Sequence, residues 1–296
     1  MRGYLEEMFP LSGHLSVALL VALGIAGFTS TIQGARAALV PSSVISAAWN
    51  IFAIHLTLRL MDELKDQDID RRLFPERPLP AGRVLESDVS FSLAAVILLY
   101  FISNLHSPFA ALSALFVIVY AFLMYKRFFA SDLLKNSLLI TLLTHTPIVP
   151  LIWLQAFITV AQLSRIPLSS MEWRPIALFV AMLWLAMIAW ELSRKIRCAE
   201  EETEYVTYSQ IFGRVGAVAA AWAAQTLSLG ICLCLYLSYS RGAPYLLIMG
   251  AAWAACCWGR PPRPPRRPPR STPRRPCACC PKPLRPRHPS WRKPSC

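Results

Sequence analysis

Long apolar stretches separated by short charged ones run through most of this chain. Stretches of about 16 to 25 residues recur from His14 to Trp258, close to the roughly 20 that a helix needs to cross a bilayer's hydrocarbon core. They predict spans at His14–Gly34, Ser42–Met61, Val89–Leu105, Phe109–Tyr125, Leu134–Phe157, Ile176–Trp190, Val215–Tyr239 and Ala243–Trp258. The expected fold is all-α, a multi-spanning transmembrane helical bundle of about eight spans. Glu6 and Glu7 precede the first span and only Arg2 is basic there, so the segment lacks the positive flank of a cleaved signal peptide and the span should be retained.

Composition sharpens this. Of 296 residues 55% are hydrophobic and 16% charged, with a mean hydropathy of +0.44, which excludes an ordinary soluble globule. The net charge of +13 would suit nucleic acid if it were spread over the body, but it is not. Twelve of the 30 Lys and Arg lie in Arg260–Cys296, which holds no acid, leaving 18 basic against 17 acidic residues elsewhere. No nucleic-acid partner is expected. Cys232, Cys234, Cys256 and Cys257 fall in apolar stretches, and the Cys277, Cys279, Cys280 cluster has no complete zinc spacing.

Loop charge sets an orientation, because short cytoplasmic loops hold the excess of Lys and Arg. With the N-terminus inside, that side carries 13 (Arg2, Lys65, Arg71, Arg72, Arg77, Arg83, Lys126, Arg127, Lys135, Arg194, Lys195, Arg197, Arg214). The other side carries four: Arg36, Arg165, Arg174 and Arg241. The long charged loops, Asp62–Asp88 and Glu191–Arg214, are then both cytoplasmic. The chain reads as an integral protein of a prokaryotic plasma (inner) membrane.

From residue 259 the sequence changes character. Thirteen of the last 37 residues are Pro, interleaved with Arg, a composition that can bury no core. The eighth stretch stops short at Gly259-Arg260-Pro261. Alanine and glycine codons of a GC-rich gene read out of frame yield Pro, Arg and Cys, so a frameshift is the expected origin; the rival is a natural basic tail that holds anionic lipid. The division is thus residues 1–258, the membrane domain, and 259–296, a Pro/Arg-rich disordered tail.

The chemistry concentrates at the end of the second span, in Arg59-Leu-Met-Asp62-Glu63-Leu-Lys65-Asp66-Gln-Asp68-Ile-Asp70. On one continuous helix Asp62, Asp66 and Asp70 stack at i, i+4 and i+8 with Glu63 beside them, while Asp68 points elsewhere. Four carboxylates on one face repel unless cations compensate, and an oxygen-only cluster suits Mg²⁺, which keeps waters and bridges carboxylates to phosphates. A solvated acidic helix end paired with Lys65, Arg71 and Arg72 is the alternative. The next residues, Arg71-Arg-Leu-Phe-Pro75-Glu-Arg77-Pro78-Leu-Pro80-Ala-Gly82-Arg83, form a stiff basic loop able to close over the acids.

These segments together resemble the UbiA-type family of intramembrane prenyltransferases. That family's first motif is Asn-Asp-x-x-Asp-x-x-x-Asp, followed by Pro and then Arg-Pro-x-x-x-Gly. Asp62 and Glu63 stand at the Asn-Asp positions, Asp66 and Asp70 at the later Asp positions, and Pro75, Arg77, Pro78 and Gly82 fall in register. The resemblance implies a second acidic motif after the sixth span, where Trp190-Glu191-Leu-Ser-Arg194-Lys195-Ile-Arg197-Cys-Ala-Glu200-Glu201-Glu202 stands. Glu191 matches its leading acid; Arg194, Lys195 and Arg197 interrupt the usual spacing but suit phosphate oxygens. Tyr125-Lys126-Arg127 matches a basic site of the family, and Thr207-Tyr208-Ser209 resembles the segment after the second motif.

The resemblance covers the first span to about Tyr239 and implies nine membrane helices, one more than this chain supports. It further implies Mg²⁺-dependent transfer of a prenyl group from a polyprenyl diphosphate to a small-molecule acceptor, commonly aromatic, within the lipid bilayer. Asp62, Glu63, Asp66, Asp70 and Glu191 would hold Mg²⁺ and serve catalysis. Arg77, Lys126, Arg194, Lys195, Arg197 and Tyr208 would bind substrate. His145, with His55 and Asn50, is a polar group at membrane depth, where such residues face a bundle interior or cavity; His145 is the one expected to line the substrate pocket. Two other classes remain open on the residues alone: a cation-coupled membrane transporter, and a catalytically silent membrane scaffold.

Overall fold

In the computed structural model, residues 2–33, 40–130, 133–134, 137–198, 202 and 206–239 are described. All belong to one compact unit, Met1–Cys257. The eighth span, Ala243–Trp258, and the tail lie outside the described residues. So do Lys135, Glu200 and Glu201.

The described residues form helices and turns only. In chain order they are α1 (Arg2–Met8), α2 (Leu11–Gln33), α3 (Pro41–Lys65), α4 (Gln67–Leu73), α5 (Glu86–Ser103), α6 (Pro108–Tyr125), α7 (Leu138–His145), α8 (Ile148–Leu163), α9 (Trp173–Arg194) and α10 (Tyr208–Tyr239). Seven segments are long and apolar enough to cross a membrane, α7 and α8 counting together as one, Leu138–Leu163. The expected spans match them to within a few residues at most ends, and the protein is an all-helical integral membrane protein.

Local chemistry sets several boundaries. Pro41 and Pro108 open α3 and α6, where a missing N–H costs nothing. The Asp88 carboxylate accepts from Leu85 N at the start of α5, and Ser137 Oγ accepts from Ile140 N at the start of α7. Pro147, which has no N–H to give to the preceding turn, divides the fifth span between α7 and α8. Gly213 interrupts α10 with φ 69° and ψ 159°, a conformation in which a side chain would be strained. The seventh span was expected to start at Val215, just after this kink; the helical turn before it carries Tyr208.

α3 is the central helix, in contact with α2, α5, α6 and α8. Close approach comes from small residues: Ala22 and Ala26 on α2, Ala47 and Ala53 on α3, Ala114 and Ala121 on α6 and Ala156 and Ala161 on α8 are wholly buried. Large apolar side chains such as Leu20, Phe91, Leu112 and Leu143 point outward, as lipid solvent permits. A polar clamp crosses this interior: Asn50 Nδ2 donates to Asn104 Oδ1 at 3.0 Å and to Thr159 Oγ1 at 3.1 Å. Asn104 Nδ2 donates back to Asn50 Oδ1 at 2.9 Å, and Gln155 Nε2 to Asn104 Oδ1 at 2.9 Å. Asn50 thus joins α3, α5 and α8. Separately, α9 packs along α10, where Leu192, Tyr208, Ala217 and Ala221 form a second buried cluster.

Candidate functional site

Because the spans alternate in direction, one end of the bundle gathers the last turn of α3, the start of α5, the ends of α6 and α9 and the starts of α7 and α10. Every acidic and basic motif residue named above that is described lies on these segments or on the loops between them.

The first motif is not one continuous helix. α3 ends at Lys65, Asp66 serves as its cap with φ −103° and ψ 12°, and α4 begins at Gln67. The backbone still bonds Asp66 N to Asp62 O at 3.0 Å and Asp70 N to Asp66 O at 2.9 Å, so the chain turns without losing the i, i+4 succession. The acids remain close: Asp62 and Asp70 both repel Asp66, and Asp70 repels Glu63. Asp68 is exposed, as expected.

Each acid has its own cation. Lys65 Nζ lies 2.6 Å from Asp62 Oδ1 and Arg59 Nη2 lies 2.6 Å from Glu63 Oε2. Arg77 Nη1 donates to both oxygens of Asp70 at 2.7 Å, and Arg127 Nη2 approaches Asp66 Oδ1 at 3.4 Å. Asp66 nevertheless sits above the usual carboxylate range, first because it is partly desolvated and then because Asp62 and Asp70 outweigh part of the help from Lys65 and Arg127. The basic loop does close over the acids. The Arg77 guanidinium also lies 4.0 Å from the centre of the Phe74 ring, and the loop's turn uses Gly82 at φ +70°.

Three contacts could not be read from sequence. The first is α1, which folds back onto the motif: the Tyr4 hydroxyl donates to Glu63 Oε2 at 3.3 Å, and Arg83 pairs with Glu7 at 2.8 and 3.0 Å. Burial, with the Glu63 carboxylate next in effect, pushes the Tyr4 hydroxyl up to about 12, so it stays a donor. The second is Arg127. Lys126 is exposed, its ammonium 5.1 Å from the Tyr125 ring centre, whereas its neighbour reaches Asp66. Arg127, Phe128 and Phe129 all have φ between 50° and 57°, a left-handed turn that costs free energy for residues with side chains and sits beside the acids. The third is Glu202, which accepts from Thr207 Oγ1 at 2.8 and 2.9 Å and from Ser209 Oγ at 2.6 Å. The Ser209 bond chiefly holds its carboxyl below the usual range.

At the second motif Glu191 is half-buried and pairs with both Arg194 and Lys195, the latter at 3.0 Å. Tyr208 is fully buried; its backbone N donates to Lys195 O at 3.1 Å, and Lys195 Nζ lies 5.8 Å from its ring centre. Arg197 N donates to Ser209 Oγ at 3.0 Å. His145 ends α7, takes an edge contact from Phe128 at 6.1 Å, and feels the charges of Lys65, Asp62 and Lys195.

Among the described residues no three His, Cys, Asp or Glu side chains converge as a ready-made metal cage. The donor set still suits Mg²⁺, a hard cation that keeps several waters and takes one or two carboxylates plus phosphate oxygens. Glu63 Oε1 is buried without a hydrogen-bond partner, and Asp66 lies near two neighbours of its own sign, Asp62 and Asp70.

No family model matches the chain, and no curated protein sequence does. Solved structures do match. One is described as the apo structure of a UbiA homolog from Aeropyrum pernix K1, with a TM-score of 0.62 and 19% identity over 82% of this chain and 84% of that one. Another comes from work on digeranylgeranylglyceryl phosphate synthase in membranes, with a TM-score of 0.58 and 15% identity over 86% of this chain and 83% of that one. The described spans, with their charged motifs gathered at one end of the bundle, therefore carry the fold of the UbiA-type intramembrane prenyltransferases.

Proposed function

We propose that this protein transfers a prenyl group from a polyprenyl diphosphate to a small acceptor of the aromatic class inside the membrane, at the end of the bundle where the two charged motifs gather. The observation that carries this reading is the gathering of both charged motifs at one end of the bundle, the first at the end of α3 and in the loop after it, the second at the end of α9, although more than 100 residues separate them in sequence. Asp62, Glu63, Asp66, Asp70 and Glu191 would hold Mg²⁺. When bound, Mg²⁺ supplies positive charge to the leaving diphosphate.

The chain's own residues do the rest. Arg77, Arg127, Arg194, Lys195 and Arg197 bind phosphate oxygens and meet the charge that grows as the C1–O bond breaks, and Lys126 adds a cation nearby. His145 and Tyr208 line the locus from α7 and α10. The apolar spans keep water from the reacting carbon and admit the prenyl tail from the bilayer.

We place the protein in the plasma (inner) membrane of a prokaryote, with its N-terminus and both charged loops cytoplasmic. Cation-coupled transport would call for acidic groups near mid-membrane on several helices, whereas the motif carboxylates here lie at or just beyond the ends of α3 and α9. The test is pyrophosphate release from a prenyl diphosphate by the purified protein in nanodiscs, with Mg²⁺ or with EDTA, followed by mass spectrometry of lipids from cells with and without the gene. Release that needs Mg²⁺ supports the reading; none under any condition leaves a silent scaffold.

A further inference from the structure

Glu63 combines two features that differ between its oxygens. Oε2 takes two donors, Arg59 Nη2 at 2.6 Å and the Tyr4 hydroxyl at 3.3 Å. Oε1 takes none, although the side chain is only 1% exposed. A buried carboxylate oxygen without a partner is costly, and the charged groups of neighbouring elements that act on Glu63 are Asp70 and Arg77, themselves already paired with each other. The motif that this segment resembles has Asp at this place. Glu adds a methylene and a rotatable bond, so its carboxylate needs an extra anchor to stay in one position. Arg59, on the same helix, is one. Tyr4 is the other and comes from α1, 59 residues away.

We propose that Tyr4 is a positioning residue for the first acidic motif: by donating to Glu63 Oε2 alongside Arg59, it fixes the carboxylate so that Oε1, which has no protein donor, is the oxygen that would meet a divalent cation. This rests on the reading that the motif holds Mg²⁺. Partners that orient a metal-binding carboxylate typically matter by about 10- to 100-fold in metal affinity. Tyr4 is itself held: it is 1% exposed, and α1 is fastened at its far end by Glu7 to Arg83 and by Phe9, whose ring stacks on His14 at 3.7 Å.

Mn²⁺ binding to the purified full chain, followed by the electron paramagnetic resonance of free Mn²⁺, tests this without any turnover. Tyr4→Phe keeps the buried ring and should weaken Mn²⁺ about 10-fold or more. Tyr4→His, which restores a donor, should recover part of the loss. Glu7→Gln loosens the same helix without touching Glu63 and should change Mn²⁺ affinity less than about twofold. In a Glu63→Gln background Tyr4→Phe should have no further effect, because its effect runs through that carboxylate.

Wild-type affinity in Tyr4→Phe, equal losses in the Phe and His variants, or an equal loss in Glu7→Gln would each overturn the positioning role. Asp66→Asn separates this from the parent reading. If Asp66→Asn loses Mn²⁺ while Tyr4→Phe keeps it, the metal site stands and only the inference about Tyr4 fails. A wild-type chain that binds no Mn²⁺ overturns both.

Discussion

Arg77 places one guanidinium nitrogen 2.7 Å from each oxygen of Asp70, and so the basic loop and the acidic motif form one unit. Asp70 is 6% exposed, and Arg77 also covers Phe74. Removing the base leaves a buried carboxylate with no cation of its own. Arg77→Ala should destabilise the protein by about 1–3 kcal/mol and raise the concentration of prenyl diphosphate needed for half-maximal turnover at least about 10-fold. Chemical denaturation and steady-state kinetics check the two effects separately.

The acids should differ in their importance. Asp66→Ala or Asp70→Ala is expected to abolish Mg²⁺-dependent pyrophosphate release, while Asp68→Ala, exposed on α4, should keep at least about half of it. Equal loss at all three positions would argue against a metal face that excludes Asp68.

Asp66 also makes a pH prediction. Its carboxyl binds a proton more tightly in the folded state than in the unfolded chain, so its contribution to stability declines as pH rises from the ordinary carboxylate range through its raised native value. Asp66→Asn removes that cost. Without divalent cation the variant should melt roughly 1–2 °C above the wild type at pH 7, a small gap because the side chain is 39% exposed and screened. The gap should shrink toward pH 4. Added Mn²⁺ should stabilise the wild type and reverse the order. Melting curves at both pH values, with and without Mn²⁺, decide this.

Topology can be tested directly. Single cysteines at positions 76 and 203, one in each charged loop, should resist a membrane-impermeant thiol reagent on intact cells and react after lysis. Strong labelling from outside at either would overturn this topology, and at one alone would place the two motifs on opposite faces.

The Asn50 clamp offers a stability test away from the chemistry. Asn104→Ala removes the group that bonds Asn50, Gln155 and the Tyr100 carbonyl, and interhelical hydrogen bonds of this kind contribute about 0.6–2 kcal/mol. A fall in melting temperature with unchanged Mn²⁺ affinity is expected.

The number and approximate position of the described spans were legible in the sequence, because the length of an apolar run is set by the thickness of the bilayer and needs no knowledge of neighbours. The motif acids and their bases were legible for a similar reason: their spacing survives the break at Asp66, since the backbone bonds from Asp66 to Asp62 and from Asp70 to Asp66 persist across it. The break itself was hidden, because nothing in Lys65-Asp66-Gln67 marks the end of a helix as Pro or Gly would. Only tertiary structure decided who pairs with whom. Tyr4 meets Glu63 across 59 residues, and Arg127 rather than Lys126 reaches Asp66 because a left-handed turn redirects it. Local pattern records which residues a segment carries, but the partners of a charge at the end of a bundle depend on how separate helices are set side by side, and that is fixed by the packing of Ala22, Ala47, Ala156 and their neighbours far from the charges themselves.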